Sequence, residues 1–406
     1  MKINNVFLSF CFAASITAPL LQAAPAAAIA QQPATYPDLP VQRDDAKKII
    51  PICSSFSLYG DNALVGKQML ASSLNFLKGM EFLPEESRGR GSFLMRHRGN
   101  NEFLGREGTK NVKNMVAQQS PLVTGLMGTE MFLSLEKFIS KKKALFLFPF
   151  EGNVSLREKK YENVIYFRPS YEVEIETLVK YVVKKRFRSE IAILYEASEW
   201  GKRVLQTLTQ ALARRGITAV KTAAYPQGSV RVKGALKELA NASPNAIFCL
   251  AHPRPAYNFI GKALDAGLHN ALFVGLSELT TIQKLLKTAR GIDLIVSAVV
   301  PDPQNSTMQI AQEYREAMKS FLSFRADTPF YFEAYLGLEL LAECISRLDG
   351  VPTIPKIIAQ FEKFNEVYKG FEVRFNPQDR SLSPRVWINE GVGKPLISDQ
   401  ESENNE

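Results

Sequence analysis

The chain has 406 residues, 46% of them hydrophobic, and no long low-complexity region, so it is globular and too long for one modest core. Its 50 basic and 41 acidic residues give a formal charge of +9, which would suit an anionic partner. The basic runs at residues 141–143 and 184–186 coincide with predicted helix ends, however, so solvated helix termini explain the charge better than a nucleic-acid surface.

The N-terminus has the pattern of a secretory signal peptide. Lys2 precedes an apolar segment over residues 6–21, and small residues at 22–28 supply a cleavage site near Ala28. No later apolar run is long enough to span a membrane. We expect residues 1–28 to be removed on export, which leaves a soluble periplasmic protein rather than a lipoprotein anchored at Cys11. Residues 29–47, rich in proline and polar side chains, are expected to form an exposed linker.

Strands and helices alternate through the first part of the mature chain. The predicted strands lie at residues 48–53, 92–98, 120–124, 144–148 and 163–167. The predicted helices lie at residues 62–79 and 105–119, with a third that runs through Lys137. This β/α alternation indicates a doubly wound lobe.

The clearest unit covers residues 188–220. Residues 191–195 form a short apolar run typical of a strand buried on both faces, and Ser198 can cap the helix that follows. Gly216 ends that helix, so we expect a parallel strand at residues 217–220. Such units place ligands at the carboxyl ends of their strands, which here brings Trp200 into a site.

The alternation continues to residue 299 and indicates a second lobe. Further strands are predicted at 246–250, 271–274 and 294–299, and helices at 172–185, 230–241, 256–266 and 281–286. Long helices follow at 307–322 and 330–348, then a shorter helix from 354 and strands at 372–375 and 385–388. We expect crossovers at 167–171, 301–303 and 376–379. Lobe 1 then comprises 47–168 plus 301–376, lobe 2 comprises 169–300 plus 377–392, and 393–406 form an acidic disordered tail.

The sequence offers no motif for catalysis, a cofactor or a metal. Residues 60–67 resemble a phosphate-binding loop, but five residues instead of four separate the glycines, and Gln68 replaces the metal-binding hydroxyl. No serine lies in a nucleophile elbow. The histidines, which are too scattered for a metal triad, are His97, His252 and His269. The mature cysteines, which we expect to be buried thiols, are Cys53, Cys249 and Cys344.

Aromatic or polar residues repeatedly follow the predicted strands. Because the carboxyl ends of parallel strands meet at one edge of a sheet, the loops of each lobe should converge there on a ligand. The candidate ligand-binding residues are Tyr59, Met127, Gly128, Thr129, Phe150, Glu151, Gly152, Tyr171, Trp200, His252, Ser277 and Glu278. Each taken alone has an alternative interpretation in packing or capping. Thr129 could cap the helix at Glu130, and Glu278 could serve a helix N-terminus.

The order and spacing of these segments resemble the branched-chain-amino-acid-type periplasmic binding proteins, the type I solute-binding proteins of ABC transporters. The resemblance covers about residues 49–388. Its best-matching pieces are residues 59–60, 167–170, 191–195, 199–201, 263–267, 273–275 and 332–335. In that family two Rossmann-like α/β lobes, joined by three crossovers, close on a small polar ligand such as an amino acid or amide and deliver it to permease subunits.

The resemblance implies a role for several of the candidate residues. Residues 125–129 and 150–152 would bind a ligand carboxylate through backbone N–H groups and hydroxyls, and Tyr59 and Trp200 would form aromatic walls from opposite lobes. The family often has an acidic residue where this chain has Ser277, with Glu278 one residue later. A non-enzymatic, monomeric receptor is therefore expected. The departures leave a second function open, which is an interaction protein of the same fold resembling activators of cell-wall synthesis.

Overall fold

The computed structural model describes residues 42–44, 47–60, 62–82, 92–100, 105–117, 121–158, 161–319 and 328–398. These residues belong to one unit that begins at Tyr36. The predicted signal peptide, most of the predicted linker and the acidic residues from 399 onward lie outside the described ranges. Within those ranges, every helix is too short or too polar to cross a bilayer.

The first lobe contains a mainly parallel sheet. In chain order its first part comprises β1 (Gln42–Asp44), β2 (Lys47–Phe56), α1 (Ala63–Phe82), β3 (Ser92–Asn100), α2 (Gly105–Ala117), β4 (Leu122–Thr124), α3 (Thr129–Ile139), β5 (Leu145–Leu147) and β6 (Val164–Ile165). The sheet order is β1-β2-β4-β5-β6, and β3 also pairs with β2. All these pairings are parallel except that of β1 with β2.

The second lobe contains the larger sheet. Its elements are α4 (Tyr171–Lys180), β7 (Ile191–Ala197), α5 (Glu199–Ala213), β8 (Lys221–Pro226), α6 (Lys233–Ala240), β9 (Ala246–Leu250), α7 (Pro253–Asp265), β10 (Leu272–Gly275), α8 (Thr280–Arg290) and β11 (Ile295–Ala298). These five strands pair in parallel in the order β11-β10-β9-β7-β8.

The C-terminal part of the chain returns to both lobes. It comprises α9 (Gln309–Lys319), α10 (Pro329–Ser346), α11 (Ile354–Phe361), β12 (Asn365–Tyr368), β13 (Phe371–Arg374), β14 (Trp387–Asn389) and β15 (Ile397–Ser398). The three helices pack in one core with the first sheet, and α10 is apolar around most of its circumference, as a buried helix should be. β14 then adds to β11, and β15 to β14, both antiparallel.

This architecture confirms the predicted fold class of two α/β lobes joined by three crossovers. The chain passes between the sheets after β6, after β11 and after β13. The exact lobe limits stay a prediction. The mature cysteines are all buried and none forms a disulfide within the described residues, as expected.

Two local predictions are wrong. Residues 217–220 are not a strand, because the N–H of Ile217 closes the end of α5 by donating to Leu212, and the strand β8 starts only at Lys221. β8 lies at the edge of the described sheet, where it pairs with β7, and it buries only Ala223 and Tyr225. Its sequence therefore lacks the continuous apolar run by which a buried strand is predicted. The predicted tail also begins too early, because β15 pairs with β14 and extends the sheet to residue 398.

Two helical glycines offer a test of how closely β7 and α5 pack. A Cβ atom at Gly201 would lie 2.0 Å from the carbonyl oxygen of Glu196, whereas one at Gly234 would meet nothing within 4 Å. We expect Gly201→Ala to lower the free energy of unfolding by about 2 kcal/mol, because the backbone must move. Gly234→Ala should raise it by up to about 1 kcal/mol, because alanine is the better helix former. Urea denaturation measures both values, and equal effects would contradict the close approach.

Candidate ligand-binding site

An aromatic cluster lies at the carboxyl edge of the second sheet. Trp200 is in the first turn of α5, where Ser198 caps the helix by accepting from the N–H of Gly201. His252 directly precedes α7. The rings of Trp200 and His252 stack with centroids 4.7 Å apart and an interplanar angle of 18°, and Tyr171 packs edge-on against Trp200 at 6.4 Å. Trp200 is only 3% exposed, so the cluster is a packed unit.

His252 is also the point where polar groups of both lobes meet. Its Nδ1 lies 3.3 Å from a carboxylate oxygen of Glu278 and 3.3 Å from the amide nitrogen of Asn62, and its Nε2 lies 3.8 Å from Glu196. Asn62 precedes α1 of the first lobe, whereas both carboxylates belong to the second lobe. Nδ1 can accept from Asn62 or donate to Glu278, but one ring nitrogen cannot do both at once. The proton position on His252 therefore decides whether it is bonded across the lobes or within one.

A buried arginine occupies the first crossover. Arg168 donates from Nε and Nη2 to the two carboxylate oxygens of Glu333 at 2.9 and 3.1 Å. Its Nη1 lies 3.9 Å from Glu174, its Nη2 lies 3.4 Å from the hydroxyl of Ser277, and its guanidinium lies 3.9 Å from the ring centroid of Phe150. Burial disfavours this charge, but Glu333 and Glu174 outweigh burial and raise the pKa of Arg168 above its usual value.

Glu151 is fully buried in the first lobe. Its carboxylate accepts hydrogen bonds from the hydroxyl of Thr129 at 2.9 Å and from the backbone N–H of Asn153 at 2.7 Å. Burial raises the pKa of Glu151 to about 7, although these two hydrogen bonds and the charge of Arg157 act against the rise. Glu151 is thus an acid that changes charge near neutral pH.

The loops of the first lobe correct what the family resemblance implied for them. The N–H of Gly128 donates to the carbonyl of Phe150, the N–H of Phe150 to Leu126, and the N–H of Glu151 to Pro149. These N–H groups are therefore bonded within the protein rather than offered to a ligand carboxylate. Met127 is buried, and its sulfur accepts a hydrogen bond from the N–H of Ser57.

The interpretation of Thr129 and Glu278 as groups that serve helix N-termini is also replaced by other contacts. Thr129 does not cap α3, because Gly128 holds the capping position and the Thr129 hydroxyl donates to Glu151. Glu278 lies in a short 3₁₀ turn, Ser277–Leu279, where its carboxylate contacts His252.

The predicted pair of aromatic walls is replaced by other contacts. Tyr59 is 63% exposed, with the ammonium of Lys67 5.7 Å from its ring centroid. Within the described part of the chain, no ring contact joins Tyr59 to Trp200. Gly152 instead meets Tyr171 across the lobes, since Tyr171 donates its N–H to the Gly152 carbonyl at 2.6 Å and a Cβ on Gly152 would strike the tyrosine ring at 2.4 Å.

The structure thus brings Tyr171, Trp200, His252, Ser277 and Glu278 together and leaves Tyr59 outside. It also adds residues that were not predicted as site residues. These additions are Asn62, Glu174, Glu196, Arg168 and Glu333. A signal existed for Arg168 and Glu333, because both lie in segments that match the family. The others lie on a helix or at a helix or strand end and carry no sequence signal of their own.

Two α/β lobes that meet along the carboxyl edges of parallel sheets are the architecture of a two-lobed binding protein. Residues 105–393 match the family model described as periplasmic binding protein, which is more than half of the chain. The protein therefore belongs to the type I periplasmic binding protein family, and the resemblance inferred from the sequence is confirmed.

Solved structures share this fold at low sequence identity. A possible leucine/isoleucine/valine-binding protein from Rhodopirellula baltica superposes with a TM-score of 0.78 at 20% identity, covering 90% of this chain and 98% of that one. A substrate-binding periplasmic protein from Ralstonia solanacearum superposes with a TM-score of 0.76 at 20% identity, covering 86% of this chain and 100% of that one.

A curated relative is also similar over part of the chain. Leu/Ile/Val-binding protein homolog 7 of Brucella abortus is 22% identical over 194 residues, which is 46% of this chain and 48% of that protein. The chain therefore spans about half the length of the curated relative that it matches.

The Arg168 ion pair gives a stability prediction. Arg168→Met leaves Glu333 and Glu174 buried without their cation, so we expect the free energy of unfolding to fall by about 3–5 kcal/mol. Arg214→Met serves as the control, because the Arg214 side chain is 58% exposed in its pair with Glu176, and removing it should cost less than about 1 kcal/mol. Urea denaturation of both variants checks this, and similar small losses would contradict it.

The raised pKa of Glu151 gives a pH prediction. The folded protein holds this proton up to a pKa of about 7, whereas an ordinary glutamate releases it near 4.5, so the stability contributed by Glu151 falls as pH rises through this window. Glu151→Gln removes the titration and keeps the size of the side chain. The free energy of unfolding of Glu151→Gln, minus that of the unsubstituted protein, should therefore increase by about 3 kcal/mol between about pH 4 and about pH 8. One pKa unit corresponds to roughly 1.4 kcal/mol.

Glu176→Gln is the control for this measurement. Burial raises the pKa of Glu176, but hydrogen bonds from Arg215 and Arg214 outweigh burial and lower it. The Glu176 carboxylate therefore stabilises the fold at pH values above its unfolded pKa. The free energy of unfolding of Glu176→Gln, relative to the unsubstituted protein, should decrease as pH rises. Denaturant unfolding at each pH gives the two slopes, and slopes of the same sign would argue against the assignment for Glu151.

Proposed function

We propose that the protein is an exported solute receptor that binds a small polar ligand, such as an amino acid or an amide, between its lobes by hinged closure. The observation that carries this proposal is the junction at His252, where the aromatic cluster of the second lobe meets Asn62 of the first. Family membership supports a binding role. The names of the relatives in Brucella and Rhodopirellula refer to leucine, isoleucine and valine.

We expect the crossovers to act as the hinge between the lobes. The first and third run side by side, because Leu382 donates its N–H to the carbonyl of Tyr166, and Ser383 donates to Phe167. Arg157, which is fully buried, braces both: it donates to the carbonyl of Arg168 at 3.0 Å and pairs with Asp379 at 3.5 Å. Movement of the lobes would thus be concentrated in a few bonded segments.

Several contacts across the cleft are polar and therefore exchangeable with water. Arg203 donates to the hydroxyl of Ser155 at 2.7 Å, and Gln227 donates to Glu130 at 3.5 Å. Opening the cleft would replace such bonds with bonds to water at a small net cost. A ligand would then favour closure by the difference between its affinities for the closed and the open form.

The cluster itself suggests how a ligand would be recognised. Trp200 and Tyr171 are packed against each other in this arrangement, and opening of the cleft would expose their rings for apolar and stacking contact with a ligand. The carboxylates of Glu196 and Glu278 suit an ammonium or amide N–H group. A ligand entering there would compete with the contact between His252 and Glu278. Recognition would therefore couple ligand binding to a rearrangement of the histidine.

We further infer that the protein is not an enzyme, that it needs no cofactor, and that it works as a periplasmic monomer with the permease subunits of an ABC transporter. In the part of the chain that the structure describes, no group of three His, Cys, Asp or Glu side chains is placed to hold a metal ion. We propose no nucleic-acid partner to account for the basic net charge of the chain.

The second candidate function is an interaction protein of the same fold, such as an activator of cell-wall synthesis. The observation that favours it is that predicted ligand contacts are used within the protein, as in the bonds of Thr129 to Glu151 and of Arg168 to Ser277. Co-purification with a peptidoglycan enzyme would favour this function. Co-purification with permease subunits would favour the receptor.

The receptor proposal predicts a ligand whose affinity depends on Trp200. A thermal-shift screen of amino acids, amides and short peptides should find a compound that raises the melting temperature. Trp200→Ala should then weaken its binding by about 1–3 kcal/mol, measured by calorimetry below the melting temperature of each variant. Trp387→Ala is the control, because Trp387 lies on β14 and is 7% exposed, so it should lower stability without changing affinity. A screen without any shift, or equal affinities, would count against the proposal.

A further inference from the structure

The most exposed large apolar side chain in the described part of the chain lies between α4 and β7. It belongs to Phe187, which is 82% exposed. The backbone on both sides of this residue is fixed to the helical turn at residues 181–185 that follows α4. The N–H of Arg186 donates to the carbonyl of Tyr181, and the N–H of Arg188 donates to that of Val182. The ring is therefore held in water by an ordered loop, although an aromatic ring gains free energy when it leaves water.

The backbone of Phe187 is unusual as well. Its φ angle is 52°, in the left-handed region that favours glycine. A bulky residue occupies this region at a cost in free energy, because its Cβ atom approaches a carbonyl oxygen. Packing within the lobe does not offset that cost, since the ring is in solvent. A contact with a partner outside the chain would account for both the exposed ring and the backbone angle.

Phe187 lies within a basic segment. Residues 180–190 contain five basic side chains and one acidic side chain, that of Glu190. Lys184 is exposed, and Arg186 is paired with Glu390 at 2.6 Å. Basic residues are common at the ends of helices, and the run at residues 141–143 after α3 is of that kind. The segment around Phe187 differs from that run because an exposed aromatic ring lies at its centre.

Val220 adds a second exposed apolar side chain at the same end of the second lobe. It is 43% exposed, and its N–H donates to the carbonyl of Ile191, the first residue of β7. Phe187 lies in the loop that leads into β7, so both residues are at the amino edge of the second sheet. The aromatic cluster around Trp200 lies at the carboxyl edge. We call residues 184–188 together with Val220 the distal patch.

The chemistry of the distal patch fits the surface of an anionic lipid bilayer. Cations attract the phospholipid headgroups, and an exposed aromatic ring enters the boundary between the headgroups and the hydrocarbon. A single-stranded nucleic acid is a poorer match. Proteins that bind such strands stack successive bases on several aromatic rings, whereas this patch combines one ring with an aliphatic side chain.

We propose that the distal patch attaches the protein peripherally to anionic phospholipid bilayers. Phe187 lies in the interfacial region of the lipid, and the basic side chains of residues 184–188 lie against the headgroups. The aromatic cluster is at the opposite edge of the sheet, so lipid at the distal patch leaves the cluster uncovered. This inference does not depend on what the cleft binds.

A tryptophan reporter tests the contact at residue 187. The two native tryptophans, Trp200 and Trp387, are 3% and 7% exposed, so a lipid-dependent change in emission comes from the added residue. With vesicles of equal parts phosphatidylglycerol and phosphatidylcholine, the emission of Phe187→Trp should shift to shorter wavelength, and its quenching by acrylamide should fall about threefold. Vesicles of phosphatidylcholine alone should leave both unchanged. Val367→Trp is the control, because Val367 is 70% exposed on β12, and its emission should not change with either kind of vesicle.

Vesicle co-sedimentation tests the side chains of the patch. Lys184→Gln combined with Lys185→Gln should weaken binding to the phosphatidylglycerol vesicles about tenfold. Phe187→Ser should also weaken it about tenfold. The matched control is Lys141→Gln combined with Lys143→Gln, which removes two cations from the basic run after α3 and should leave binding unchanged. Every variant carries the same N-terminus, so any contribution of the apolar segment at residues 6–21 is common to all of them.

Three results would overturn the distal patch as a lipid site. They are an unchanged emission of Phe187→Trp with phosphatidylglycerol vesicles, an equal loss of vesicle binding in the two pairs of lysine variants, and an emission shift of the same size with a single-stranded oligonucleotide. The second result would reduce the contact to net charge, and the third would make the patch a surface for anionic polymers. None of them bears on the receptor proposal, whose ligand binding is measured without lipid. The melting temperature of each variant shows that it is folded.

Discussion

The buried guanidinium of Arg168 is the constraint on which the arrangement of this protein depends. A charge in that position costs several kcal/mol unless it is paired, and its bidentate partner Glu333 comes from the first turns of α10. The helix must therefore dock on the first sheet in one register, with its N-terminal end toward the second lobe. Glu174 and Ser277 reach the same guanidinium from the second lobe. One charge thus links a crossover, a core helix and the opposite lobe.

The same charge explains why the loop after β5 is a junction rather than an open binding loop. The ring of Phe150 lies against the guanidinium, and the next two residues are committed to neighbours: Glu151 to Thr129, and Gly152 to Tyr171. A buried acid and a phenylalanine packed on a guanidinium each need a partner within the protein. The polar side chains at the cleft are therefore mainly those of the second lobe that surround His252.

Much of the fold could be predicted because parallel β/α units have strong local signals. β9 lies at the predicted residues 246–250, and Ser198 caps α5 as its chemistry suggested. β8 and β15 could not be placed, since a half-exposed edge strand and a two-residue strand bury too little for their pattern to show. For the candidate site, the strand-end rule pointed to Trp200, His252 and Glu278, which the structure brings into contact with one another, while their role in ligand binding stays a prediction. That rule does not reach Glu333, which lies on a helix. The family-like segment around Glu333 was a signal, but nothing local in the sequence indicates that its carboxylate pairs with Arg168, 165 residues away.

The way in which the C-terminal part of the chain completes both lobes has a consequence for biosynthesis. The first core lacks three helices until residue 361 has been made, and the second sheet lacks two strands until residue 398. Contacts so distant along the chain form slowly, because a long loop must be closed before they stabilise anything. A nascent chain therefore holds two incomplete cores at once. Neither core can therefore close before almost the whole chain has been synthesised.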